Sequence, residues 1–133
     1  TFRTMNENWR LQAHGLIREV AERIAAENGG KALVRIERGY PFLENNPALT
    51  EKTRKLLQQH FGEQQVIDLP LRMTGEDFSF FAQKIPATFI RLGVRNESRG
   101  IVHAVHNARF DIDEKALEYG MEALLTICLD QTT

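Results

Sequence analysis

The order of elements predicts an α/β fold for this chain of 133 residues. Segments with the period of a helix alternate along the chain with short segments that have the period or composition of a strand, an order typical of layered α/β proteins. The length suits one sizeable core, so one or two domains are expected. The strand at 32–38 carries charges on one side, whereas the later strands are more apolar. The two halves are therefore expected to belong to different sheets, with a boundary at Gly39-Tyr40-Pro41.

The first half of the chain is predicted to form one helix and one strand. The motif Thr4-Met-Asn-Glu7 resembles a capping box, in which the hydroxyl and the carboxylate each bond a free backbone amide at a helix start. Gly29-Gly30 predicts the end of that helix. Strict alternation over 32–38 predicts a half-buried strand, and residues 1–4 are also strand-like. The expected buried stripe of the helix is Ala13, Leu16, Ile17, Val20, Ala21 and Ile24.

The second half is predicted to hold three helices and two strands. Asn46 followed by Pro47 is typical of a helix start, and Gly62 ends that helix. Strands are predicted at 66–71 and 86–93, with a short helix between them that Thr74 and Asp77 can cap. The residues expected to be buried are Leu49, Thr53, Leu56, Leu57 and Phe61 in the second helix, Phe78, Phe80 and Phe81 in the short one, and Leu117, Met121, Leu124, Leu125 and Cys128 in the last.

Composition limits the classes of partner. The 17 Lys and Arg balance 18 Asp and Glu, and no basic cluster is interleaved with aromatic residues, so nucleic acid is not expected as a partner. The apolar run at 123–129 is far shorter than the roughly 20 residues of a membrane span, so no membrane partner is expected. The start of the chain is unlike a signal peptide, which favours a cytoplasmic location. The single Cys128 rules out an internal disulfide and is expected to be a small buried hydrophobe.

Two of the four histidines, His103 and His106, lie three residues apart after a predicted buried strand. A loop at the end of a strand can aim an imidazole into a cleft. A zinc site in an enzyme has three protein ligands and an open position, however, and no Cys or second acidic cluster lies nearby at metal spacing. The spacing alone supports a structural histidine equally well. His14 within the first helix and His60 at the end of the second are expected to be structural.

Three collinear motifs resemble the zinc-dependent amidohydrolase family of hippurate hydrolases, N-acyl-amino-acid amidohydrolases and plant auxin-conjugate hydrolases. The segment 38–47, with Arg-Gly-Tyr-Pro and Asn-Pro, is similar to the family's return from its lid domain. Thr74-Gly-Glu-Asp-Phe-Ser79 resembles the family's Gly-Ser-Glu-Asp-Phe-Ser turn. His103-Ala-Val-His-Asn-Ala-Arg-Phe110 resembles its His-Pro-Leu-His-Ser-Pro-Arg-Phe loop. The resemblance to the family spans nearly the whole chain.

The resemblance implies a division of the chain and a metal centre. Residues 1–39 would close a lid domain used for dimerisation, and residues 40–133 would be the C-terminal part of a metallo-aminopeptidase-like α/β catalytic domain. The family's centre is binuclear, with zinc or manganese, and the second histidine of its loop, here His106, is a metal ligand. Thr74, Gly75, Glu76 and His103 would contribute to substrate binding. Ala104 and Ala108 stand where the family has proline, and Asn107 where it has serine, so the position of His106 is expected to be less preset.

The resemblance further implies that the parent hydrolyses the amide bond of a small-molecule N-acyl amino acid, and that this chain is inactive by itself. A homo-oligomer is expected. The family's other metal ligands and its general base have no counterpart here. The alternative is a small non-catalytic α/β module that associates with protein partners. Unpaired strand edges at 1–4 and 32–38 would mediate that association, and they predict a dimer or a swapped assembly.

Overall fold

The computed structural model describes residues 1–130, whose regular secondary structure is helical. Its helices are α1 (Glu7–Glu27), α2 (Pro47–Phe61), α3 (Ser79–Ala82) and α4 (Lys115–Asp130), with single 3-10 turns at Glu63–Gln65 and Glu97–Arg99. The first compact unit contains Thr1–Asn46 and Pro70–Ala87, and the second contains Pro47–Leu69 and the chain from Thr88 onward. Across these 130 residues, no helix combines the length and the apolar character that a bilayer crossing requires.

The predicted strands do not form, so the α/β class is not confirmed. Residues 32–38, 66–71 and 86–93 are extended or irregular, and the one bridge among residues 1–130 is an isolated antiparallel pair between Asn96 and Ile101. Alternation shows which side of a segment can be buried, but a strand also needs hydrogen bonds from a neighbouring strand. The alternating pattern therefore indicates which side chains of a segment share a side, but it does not show whether another strand pairs with that segment.

Helix α1 begins two residues later than its motif predicted. Asn6, and not Thr4, is the N-cap, because its Oδ1 accepts a hydrogen bond from the backbone N–H of Trp9 at 2.9 Å. The Thr4 hydroxyl accepts from the N–H of Asn6 at 3.2 Å. The predicted end is confirmed by Asn28 at the C-cap and by Gly29, whose φ of 73° is left-handed. The cap shifts because an Asn side chain caps a helix as well as a Thr does.

Glu7 ties the start of α1 to a distant segment instead of completing a capping box. Its carboxylate accepts from the N–H of Phe42 and from Arg38, each at 3.2 Å, and forms a short ion pair with Arg10. Arg10 is buried, and its Nη1 donates to the carbonyl of Tyr40 at 2.6 Å. These bonds hold residues 38–42 against the first turn of the helix.

The expected apolar faces of the first unit are only partly buried. Ala13 is the buried member of the α1 stripe, whereas Leu16, Ile17, Val20 and Ile24 expose between 43% and 49% of their surface. In α3 the fully buried side chain is that of Ser79, while Phe80 and Phe81 are exposed. The helical spacing of apolar residues identifies the face of a helix that can be buried, but it does not show whether another part of the protein covers that face.

The second unit is built on the packing of α2 against α4. Helix α2 buries Thr53 and Leu57, as predicted, and α4 buries Ala116 and Ala123. Gly120 lies between those alanines, and a Cβ added to it would come within 3.1 Å of Leu92 Cδ2. Small residues at three- and four-residue spacing therefore form the packed face of α4.

The predicted core stripe of α4 is wrong. Its large members are all more than half exposed, and Cys128 is exposed instead of buried. The stripe was predicted from the helical spacing of large apolar residues, but the buried residues of α4 are the small Ala116 and Ala123. The exposed members are Leu117, Met121, Leu124 and Leu125.

Candidate metal-ligand loop

The histidine loop, defined as residues 102–112, is closed at its base by backbone hydrogen bonds. The N–H of Asp113 donates to the carbonyl of Val94 at 2.9 Å. Just before the loop, Asn96 and Ile101 exchange two N–H to carbonyl bonds, each of 2.9 Å. The two ends of the loop are thereby held together inside the second unit.

The Asp113 carboxylate adds side-chain bonds to this closure. It accepts from Asn96 Nδ2 at 2.5 Å, from Arg99 Nη1 at 3.0 Å and from the N–H of Lys115 at 3.3 Å. The bond from Asn96 is the main reason that the pKa of Asp113 lies below its ordinary value, and Lys115 and Arg99 act in the same direction. The ionised carboxylate therefore joins the base of the loop to the start of α4.

Acid is expected to loosen the base of the histidine loop. A carboxyl group whose pKa is lowered by folding stabilises the folded state above its unfolded pKa, and that contribution is lost as the pH falls through the folded pKa. For Asp113 the loss begins near its ordinary value of 3.8 and is completed below it. An NMR titration should show Asp113 ionising below 3.8 in the native chain and closer to 3.8 in Asn96→Ala. Equal midpoints in the two proteins would contradict the role of Asn96.

His106 has an unusual backbone conformation. The N–H of Asn107 donates to the carbonyl of Ala104 at 3.2 Å, which places His106 third in a four-residue turn. Its φ is 68°, and among residues 1–130 it is the only residue other than glycine with a positive φ. A positive φ at the third position is the pattern of a type II turn, where glycine or asparagine is usual. Residues in such sparsely populated conformations cluster at functional sites.

The side chain of His106 is available as a ligand. It is exposed, and within residues 1–130 no hydrogen bond or ion pair engages its imidazole. His103 is half-buried and likewise makes no hydrogen bond with the described residues. The two histidines lie in the same loop, but only His106 occupies the turn.

The other predicted site residues lie in the first unit. Thr74 and Gly75 are exposed in the irregular segment before α3, and a Cβ on Gly75 would lie 3.5 Å from the Tyr40 ring. Glu76 is half-buried, and its Oε1 accepts from the N–H of Phe78 at 3.4 Å. Its carbonyl also accepts from the N–H of Ser79 at 3.2 Å. Glu76 therefore has a local structural role at this turn, in a different unit from the histidines.

Asn107 is the residue that sequence reasoning undervalued. It appeared only as a departure from the serine of the related motif, yet its backbone and side chain both bond within the loop. Asparagine before a turn is a known signal for such bonding, because its side chain can accept from the backbone two residues ahead.

The described residues can supply one donor to a metal centre. No group of three or more His, Cys, Asp or Glu side chains within residues 1–130 is arranged to hold a metal ion. The neutral imidazole of His106 is nonetheless a suitable ligand for zinc and related divalent ions. The loop fits the role of one ligand, and further ligands would have to come from other residues.

Comparison with known proteins finds one family model and several relatives that match most of the chain. Residues 8–130 match the model of Peptidase family M20/M25/M40. The chain is 34% identical over 130 residues to thermostable carboxypeptidase 1 of Saccharolobus solfataricus, covering 96% of this chain and 32% of the relative. It is 32% identical over 125 residues to an N-acetyldiaminopimelate deacetylase of Enterococcus faecalis, covering 93% and 32%.

A plant protein is a further relative. Identity to an IAA-amino acid hydrolase of Arabidopsis thaliana is 38% over 81 residues, covering 61% of this chain and 18% of the relative. No solved structure matches the chain. The chain spans about a third of the length of the first two relatives, 32% in each case.

Proposed function

Because the chain belongs to peptidase family M20/M25/M40, we propose that it is part of a metal-dependent amidohydrolase that cleaves the amide bond of an N-acyl amino acid. The relatives named above are a carboxypeptidase, a deacetylase and an amino acid conjugate hydrolase. Two of the three names contain an acylated amino acid, which supports that substrate class over a general peptide. The activity is assigned to a longer protein of which this chain forms about a third.

The observation that carries the proposal is the His106 turn. An exposed imidazole without a partner among residues 1–130 stands in a conformation that histidine rarely adopts. A conformation of this kind persists when surrounding structure holds it, and functional sites are where such positions cluster. His106 would hold the metal from this chain's side, in a centre proposed to be binuclear with zinc or manganese.

Chemistry at the centre would divide between the metal and the protein. A bound divalent metal supplies a Lewis acid for the amide carbonyl and can lower the pKa of water to about 7. His106 would hold one metal ion through its imidazole. His103, in the same loop, is proposed to contribute to substrate binding, and Thr74, Gly75 and Glu76 of the first unit are proposed for the same role.

The proposed organisation of the whole protein follows the same family. Residues 1–39 are assigned to the end of a lid domain and residues 40–133 to the catalytic domain. A homo-oligomer is proposed because the extended segments 1–4 and 32–38 have no strand partner within residues 1–130. Sedimentation velocity of the whole protein tests this assignment, and a monomer at high concentration would contradict it.

Metal removal should test the proposed activity directly. Chelation of the whole protein is expected to lower hydrolysis of hippurate and N-acetyl amino acids by roughly a hundredfold or more, since the metal provides several kcal/mol of transition-state stabilisation. Adding back zinc or manganese should restore the rate. The chain of 133 residues alone is expected to show no hydrolysis, because one ligand histidine cannot hold two metal ions.

Two results would contradict this proposal. One is full activity of the whole protein after its metal has been removed and shown to be absent by elemental analysis. The other is hydrolysis by the 133-residue chain at a rate similar to that of the whole protein. Preference for unblocked peptides over N-acyl amino acids would instead move the substrate class toward that of the carboxypeptidase relative.

A further inference from the structure

Three hydrogen bonds converge on Asn107, the residue directly after His106. Its N–H donates back to the carbonyl of Ala104 at 3.2 Å, closing the turn that contains His106. Its carbonyl accepts from the N–H of Phe110 at 2.9 Å, closing a second turn. Its side-chain Oδ1 accepts from the N–H of Arg109 at 2.8 Å. Asn107 therefore joins two consecutive turns.

The conformation of His106 needs this support. A residue with a Cβ is disfavoured at a φ of 68°, so an unrestrained histidine would return to a negative φ. That return would rotate the peptide plane before Asn107 and redirect the His106 side chain. Ala104 and Ala108 lack the fixed φ that proline would provide, so hydrogen bonding is the restraint that this loop contains.

We propose that Asn107 is a positioning residue. Its side-chain Oδ1 fixes the turn at 107–109, which keeps the Asn107 N–H directed at the carbonyl of Ala104, and that backbone bond closes the turn in which His106 is left-handed and would present its imidazole to the metal. The inference rests on the proposed function of His106 as a ligand. On this proposal the loop stays preset although alanine stands where the family has its two prolines. The Oδ1 bond to the N–H of Arg109 restrains the backbone of Asn107, because a side chain that bonds two residues ahead mimics a backbone turn.

The test compares three variants in two measurements. Asn107→Ala removes the acceptor, Asn107→Ser keeps an uncharged oxygen that can accept the same bond more weakly, and Arg109→Ala keeps the backbone donor. In the 133-residue chain, the intraresidue HN–Hα contact and the coupling constants of His106 report the sign of φ by NMR. In the whole protein, competition with a chromogenic chelator measures the affinity for Zn²⁺.

Asn107→Ala is expected to lose the NMR signature of a positive φ and to bind Zn²⁺ roughly tenfold more weakly, the usual size of an outer-shell effect. Asn107→Ser should recover part of both properties. Arg109→Ala should retain both the positive φ of His106 and the zinc affinity, because the backbone N–H at position 109 still donates to Asn107 Oδ1. A merely structural role for Asn107 would not produce this rescue in the zinc affinity.

Retention of a positive φ at His106 in Asn107→Ala would overturn the inference. So would unchanged zinc affinity in that variant while His106→Ala binds zinc more weakly. If His106→Ala leaves zinc affinity unchanged, the proposed ligand role fails, and the NMR comparison alone then decides whether Asn107 holds the turn. The failure of the proposed function and the failure of this inference are therefore distinguishable.

Discussion

Replacing His106 with alanine is expected to lower kcat/KM of the whole protein roughly a thousandfold, corresponding to about 4 kcal/mol of transition-state stabilisation. His106 has a left-handed backbone conformation, and no residue among 1–130 forms a hydrogen bond or an ion pair with its imidazole. If His106 is the proposed ligand, its loss both weakens metal binding and misplaces any metal that remains. Kinetics on an N-acyl amino acid and elemental analysis of the purified variant measure these two effects separately.

Two histidine variants provide matched controls for that experiment. His103→Ala removes the same ring from the same loop and is expected to cost about tenfold, because a pocket residue contributes on the order of 1 kcal/mol. His14→Ala, on α1, should leave kcat/KM unchanged. An activity of His106→Ala equal to that of His103→Ala would remove the distinction between ligand and pocket residue on which the proposal depends.

Helix boundaries were the part of the fold that sequence predicted best. Asn46-Pro47 and Gly62 bracket α2, which runs over Pro47–Phe61. Gly29 likewise ends α1 with its left-handed φ. These signals succeed because capping, the fixed φ of proline and the freedom of glycine act within one turn of the chain. They depend on no distant partner.

Strands and core residues were predicted less well because they depend on partners. The alternation at 32–38 is present, but strand formation requires backbone hydrogen bonds from residues far along the chain. The leucines of α4 have helical period, yet the small residues Ala116 and Ala123 form its packed face. Period and apolar character do not determine which of two faces a neighbouring helix will contact.

For the candidate site, the residue types were predicted better than the geometry. Its residue types are recognisable, since the resemblance of the 103–110 segment to a family motif predicted that His106 is a ligand. Its geometry was not, because a positive φ is far commoner in glycine than in other residues, and the sequence has no glycine at this position. The role proposed for Asn107 in positioning His106 depends on its hydrogen bonds to Ala104, Arg109 and Phe110, which the sequence does not show.

Leu57→Ala is expected to destabilise the second unit by about 2–3 kcal/mol, toward the lower end of the usual range for a buried leucine. Leu57 is 6% exposed, and α2 packs against α4 within the second unit. Removing most of a buried side chain leaves a cavity that the surrounding residues fill only in part. Native-state hydrogen exchange of the α2 and α4 amides in the 133-residue chain measures the loss.

Leu124→Ala is the control that decides which face of α4 forms the core. It removes the same atoms from a side chain that is 61% exposed, so a change within about 0.5 kcal/mol is expected. A large loss for Leu124→Ala and a small one for Leu57→Ala would reverse the assignment and restore the stripe that helical period predicted. The expected order instead follows from burial, because Ala116 and Ala123 are 4% and 7% exposed, whereas the leucines of α4 are all more than half exposed.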